Sequence, residues 1–141
     1  MTSMQTPSSD SMPDTVVMSG TFAATTTSSA RSVTARISGD IDLTVTDVWS
    51  QVLADTADIA GELSERSDGF AVFDLTSVTF FSARAICLLA EAAATMPIPV
   101  RVVATDSIAR HIGMVVEPGR LFVVTAHEHL AIVGPHSLRL V

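Results

Sequence analysis

The stretch FAVFDLTSVTFFSARAI, residues 70–86, decides the fold. Phe70 to Leu75 is a short apolar run behind Asp68-Gly69, which predicts a buried strand. Ser82 stands where a helix N-cap belongs, and Ala83 to about Thr95 carries good helix formers until Met96-Pro97 stops them. That helix is apolar nearly all round (Ile86, Cys87, Leu88, Leu89, Ala90, Ala93), so central packing is expected. Ser77 to Phe81 reads as the loop between the two elements.

Working downstream, Pro99 to Ala104 is a second short apolar run and predicts another strand. Asp106 is placed to cap a helix reaching about Val116, and Leu121 to Val124 predicts the last buried strand. Thr125 with Glu128 forms a capping box that opens a terminal helix across Leu130, Ile132 and Val133. Upstream, Val45, Val48, Trp49, Val52, Ile59 and Ala60 recur at helical spacing. Thr44 with Asp47 gives that helix a capping-box-like start, and Gly61 is its expected stop. Thr21 to Thr27 and Ser32 to Ser38 are rich in Thr and Val around a polar Ser28–Arg31 turn, which predicts a β-hairpin. Residues 1–19 are rich in Ser, Thr, Met and Pro without periodicity and read as a flexible tail, leaving 20–141 as one domain. The predicted order, ββαβαβαβα, is an α/β domain with a mostly parallel sheet of about five strands, right-handed crossovers and helices packed on its faces.

Composition narrows the function classes. The 141 residues are 48% hydrophobic and 16% charged, too apolar for a disordered chain. A formal net charge of -7 argues against nucleic acid or an anionic membrane surface as partner. All eight cations are arginine, which removes Schiff-base chemistry and a P-loop lysine. The longest wholly apolar stretch near the middle, Ala85 to Ala90, is far short of a membrane span. The chain opens without a basic region followed by an apolar one, so a cytoplasmic protein is expected. No nucleophile elbow, C-x-x-C, H-E-x-x-H or glycine-rich phosphate loop occurs. Catalytic residues, metal ligands and cofactors are therefore expected to be absent.

Some residues carry two readings. Asp40 and Asp42 could bind a divalent ion, or could favour the positive end of the helix that follows them. His127 and His129 are two apart, which in a helix sends them to different sides. Cys87 reads as a small hydrophobe on an apolar helix, with redox sensing as the alternative that Arg84, one turn away, keeps open. Trp49 reads as a packing residue.

Three segments resemble the STAS domains of bacterial anti-sigma factor antagonists. Gly39-Asp-Ile-Asp-Leu43 is similar to that family's G-E-L-D-L before the first helix. Asp74 to Ile86 aligns without a gap with its D-L-S-G-V-x-F-x-D-S-S-G-L, and Arg110 to Phe122 with its R-R-x-L-x-x-x-G-L-x-x-L-F. The resemblance covers about residues 20–141. It implies a non-enzymatic module that docks onto an anti-sigma factor, often a serine kinase, and so releases a sigma factor for transcription. The family's kinase phosphorylates the first serine of D-S-S-G. Here Ser82, Ala83, Arg84 and Ala85 stand at those four places, so the acceptor hydroxyl is missing at Ala83. Ser82 and Thr79 remain as possible acceptors, Ser82 also being the natural cap.

The expected docking surface is the Ser77–Phe81 loop, the start of the second helix (Ser82, Ala83, Arg84) and the segment from Asp40 through Asp42 to Thr44. Of the two successive phenylalanines, Phe80 matches the family's buried position, which makes Phe81 the exposed contact. Arg84 opposes the helix macrodipole, which points to an acidic partner group or an anion beside it. The alternative function is a small-ligand, nucleotide or redox sensor using the second-helix N-terminus and Cys87.

Overall fold

The computed structural model describes residues 15–65 and 68–126. Its elements are β1 (Thr15–Ser19), β2 (Phe22–Ser28), β3 (Ser32–Ile41), a 3-10 turn (Leu43–Val45), α1 (Thr46–Leu63), β4 (Phe70–Phe81), α2 (Ala83–Thr95), β5 (Val100–Ala104), α3 (Asp106–Val115) and β6 (Phe122–Thr125). The expected terminal helix, with His127 and His129, lies outside the described residues, as does the tail before Thr15.

The strands form a single six-stranded sheet in chain order. β2 is antiparallel to both β1 and β3, whereas β3, β4, β5 and β6 run parallel. This is the expected mostly parallel α/β sheet with one more strand than expected. The extra strand corrects the assignment of residues 15–19 to a tail, because Thr15 to Ser19 pairs with Phe22 to Thr26. Gly20 joins the two strands at φ 58, the left-handed conformation a two-residue hairpin turn demands at its first central position.

All three helices contribute to one core. Trp49, Val52 and Leu53 of α1, Ile86 and Leu89 of α2, and Ile108 and Ile112 of α3 pack with Val33, Ala35, Ile37, Phe73, Leu75 and Val102 from the sheet. Val72, Val103 and Val124, one step out of phase with those strand residues, form a separate cluster on the opposite face. Among the described residues, the helices thus share one face of the sheet, not both. The other face carries Arg101 stacked 5.7 Å from the Phe122 ring centroid and the Arg36–Asp74 ion pair.

Helix α1 buries Trp49, Val52, Leu53, Thr56, Ala60 and Leu63, a helical stripe whose one hydroxyl, on Thr56, donates to the Val52 carbonyl at 2.8 Å. It runs past Gly61 because Leu63, one turn beyond Ala60, still has core to fill. Its start also differs from expectation. The Asp42 carboxylate accepts the Thr44 N–H and caps the Leu43–Val45 turn, and α1 follows from Thr46. Thr105, not Asp106, caps α3 by accepting the Ile108 N–H at 3.3 Å.

The largest departure is in β4. The strand does not stop at Leu75 but continues to Phe81 alongside a longer β3. Arg36 pairs with Asp74 and Ile41 with Phe81, so five steps on β3 match seven on β4. The two surplus residues sit in two irregularities, one opposite Arg36–Ser38 and one opposite Gly39–Asp40. At the first, the Asp74 carboxylate accepts both the N–H and the hydroxyl of Thr76, satisfying a donor that the bulge removes from the ladder. At the second, Gly39 adopts φ 87.

Candidate functional site: the carboxyl edge of the sheet

The parallel strands β3, β4, β5 and β6 all end on one edge, and the segments predicted to dock meet at the ends of β3 and β4. The two are joined directly, since the Ser82 N–H donates to the Ile41 carbonyl at 2.9 Å, continuing the ladder into the first turn of α2. Asp40 and Thr79 face one another beside that junction. The Thr79 hydroxyl donates to Asp40 at 2.5 Å, and the Asp40 N–H reaches the Thr21 hydroxyl at 3.4 Å.

Ser82 is an N-cap with extended backbone, its Oγ accepting the Ala85 N–H at 3.1 Å. Its carbonyl accepts from the Ile86 N–H at 2.9 Å. Ala83 and Arg84 follow in the first turn, both exposed. Arg84 forms no ion pair among the described residues, where the two that occur are Arg31–Asp68 and Arg36–Asp74. Cys87 is half-buried one turn further along.

Asp42 and Thr44 form a separate polar group. The Asp42 carboxylate also takes the Thr44 hydroxyl at 2.5 Å, and these bonds hold its pKa below the ordinary aspartate value. The arrangement is an N-cap for the 3-10 turn. No cluster of three or more potential metal ligands occurs among the described residues.

The two phenylalanines exchange their expected roles. Phe81 is 1% exposed and lies edge-on to the Trp49 ring at 5.8 Å, whereas Phe80 is 49% exposed. The cause is strand alternation, which continues through residues read as a loop. Along β4 the core face is held by Ala71, Phe73 and Leu75; the first extra residue moves it to Val78, and the second returns it to the original phase at Phe81. Phe81 is therefore withdrawn as a surface contact. Phe80 takes its place and borders an open groove of about 340 Å³ whose far wall is α3, at Ser107, Arg110, His111 and Met114. The sequence reading missed that wall, although the spacing of those four residues puts them on one helix face.

Trp49 is fully buried, as expected of a packing residue. Its indole N–H donates to the Ala85 carbonyl at 3.0 Å, and its ring also meets Phe73 edge-on at 6.4 Å.

No protein-family model matches the chain, and no curated protein matches it in sequence. Solved structures do. An anti-sigma factor antagonist from Mycobacterium paratuberculosis superposes with a TM-score of 0.57 at 20% identity, over 87% of this chain and 97% of that one. The anti-sigma factor antagonist SpoIIAA, in its unphosphorylated form, superposes with a TM-score of 0.56 at 12% identity, over 84% of this chain and 97% of that one. The chain has the STAS fold, in the form shared by these two antagonists. Among the described residues no helix is long and apolar enough to cross a membrane.

Proposed function

We propose that the protein is a regulator of the anti-sigma factor antagonist type, acting in the cytoplasm by docking onto an anti-sigma factor and so promoting sigma-factor-dependent transcription. The observation that carries the reading is the carboxyl edge of a STAS sheet on which exposed Phe80, Ala83 and Arg84 adjoin the Asp40–Thr79 pair. An exposed aromatic and an arginine with no ion pair among the described residues, beside a helix N-terminus, suit a protein contact. The protein then acts without catalysis, without a cofactor and without nucleic acid.

The partner is of the serine-kinase type or related to it, and this chain is blind to its phosphorylation. Ala83 lacks a hydroxyl, Ser82 already caps α2, and the Thr79 hydroxyl is held by Asp40. Docking would then be governed by abundance.

Calorimetric titration with the anti-sigma factor encoded nearest its gene tests the reading. Binding is expected with and without ATP, and mass spectrometry after incubation with ATP is expected to find no added phosphate. Failure to bind overturns the docking role. Phosphate on Ser82 or Thr79 overturns the loss of the switch. A thermal shift with nucleotides at constant salt would favour a ligand sensor instead.

A further inference from the structure

The groove between the end of β4 and α3 combines two chemistries. Its apolar rim is Phe80, 49% exposed, facing Met114, 77% exposed, a flexible and polarizable side chain suited to adaptable contacts. Its ionisable lining residues are Arg110, exposed, and His111, half-buried; neither forms an ion pair among the described residues, and no acid lines the groove. This is unusual placement on a chain of net charge -7. Ser107, Arg110, His111 and Met114 lie three or four residues apart and so form one stripe of α3, while Ile108 and Ile112 face the core. A groove open to solvent with an apolar rim fits a side chain presented by another protein segment better than an enclosed small molecule.

We infer that this groove receives an acidic segment of the partner, an apolar side chain seated between Phe80 and Met114 and a carboxylate on the Arg110 guanidinium. The identity of the partner rests on the docking role proposed above; the chemistry of the groove does not. Local cations on an acidic surface select for such a segment because the attraction acts within about 10 Å, where screening leaves it effective. The bulk negative charge disfavours any acidic segment that approaches elsewhere.

A fluorescein-labelled amphipathic helical peptide with a leucine face and a glutamate face is the probe, beside a twin in which lysine replaces glutamate. Anisotropy is expected to rise with the acidic peptide and not with its twin. Arg110→Glu is expected to weaken binding by about tenfold or more, since opposed like charges at an interface are strongly unfavourable. Phe80→Ala is expected to weaken it as well. Both positions are exposed, and circular dichroism confirms that each variant folds. Equal binding of the two peptides, no binding of the acidic one, or an unchanged Arg110→Glu would overturn the inference. The anti-sigma factor separates the two proposals. Full-strength binding to Arg110→Glu overturns the groove and leaves the docking role standing. If wild-type protein takes the acidic peptide but refuses the anti-sigma factor, the docking role falls and the groove remains.

Discussion

The Trp49 indole N–H donates to the backbone carbonyl of Ala85 at 3.0 Å, tying the first helix to the opening turn of the second. The bond lies wholly in the core, with the same ring set edge-on against Phe73 and Phe81. The helix start that carries Ala83 and Arg84 is thus held from beneath by an aromatic cluster and from the side by the Ser82–Ile41 ladder bond. A rigid platform of this kind spares a docking surface the entropy of ordering itself on contact.

Trp49→Phe keeps an aromatic ring but leaves the Ala85 carbonyl with its helical bond alone. The expected loss is about 0.5–1.5 kcal/mol for the hydrogen bond, with the lost packing in addition, read from urea unfolding followed by circular dichroism. An unchanged midpoint would mean that the bond adds nothing.

Phe80→Ala and Phe81→Ala should part company. Truncating buried Phe81 is expected to cost about 3–5 kcal/mol, whereas truncating exposed Phe80 should stay within about 0.5 kcal/mol. Denaturant midpoints of the two variants decide which ring belongs to the core. The reverse outcome would contradict the buried position of Phe81 against Trp49.

Gly39→Ala should be severe. A methyl group there would overlap the Thr21 carbonyl oxygen, and φ 87 is disfavoured for any other residue. Backbone strain alone costs about 1–2 kcal/mol, and relief of the clash must push the β1–β2 turn away from β3. Loss of amide exchange protection in β1 and β2, beyond that elsewhere, is the expected signature.

Asp42 makes stability depend on acid. Its folded pKa is lowered by the Thr44 hydroxyl and N–H, so its contribution is fully present above the ordinary aspartate value, about 4, and is lost as pH falls through the lowered folded value. The difference in stability between wild type and Asp42→Ala should be level from neutral pH down to about 5 and shrink below about 4. A difference that grows on acidification would contradict the capping geometry.

Ala83→Ser returns a hydroxyl to an exposed first-turn position without disturbing the Ser82 cap. Given a kinase-type anti-sigma factor and ATP, phosphate is expected on residue 83 of the variant and a matching loss of affinity, checked by mass spectrometry and calorimetry. The added anion of about -1.5 to -2 charges would sit at a helix end that accommodates it.

Much of this architecture was legible in periodicity and caps. The β2 strand and its turn into β3, the Ser82 cap and the α2, β5 and β6 segments fall within a residue or two of where local chemistry puts them, because their signals are contained within a few neighbours. What was illegible depends on pairing. Thr15 to Ser19 offers only the short apolar run Val16-Val-Met18 in a Ser- and Thr-rich context, and becomes legible as a strand only once β2 offers it a ladder. The assignment of Phe80 and Phe81 failed for a different reason. Ser77 to Phe81 read as a loop, so the resemblance and not strand alternation placed the two rings, and nothing in Thr76 or Thr79 announces that β4 continues through two bulges. The segments read as a docking surface do lie together at the ends of β3 and β4, but the α3 wall opposite Phe80 comes from an element nearly thirty residues away in sequence.

The two surplus residues of β4 turn the strand into a vernier against β3. Remove one residue at either irregularity and one bulge is erased, while Asp40 still faces Phe80 and Ile41 still faces Phe81. Slack in this stretch is taken up inside β4, and the aromatic shown to the surroundings stays Phe80. A lineage could lose a single codon there at the cost of one bulge, with the helices and the rest of the sheet left where they stand.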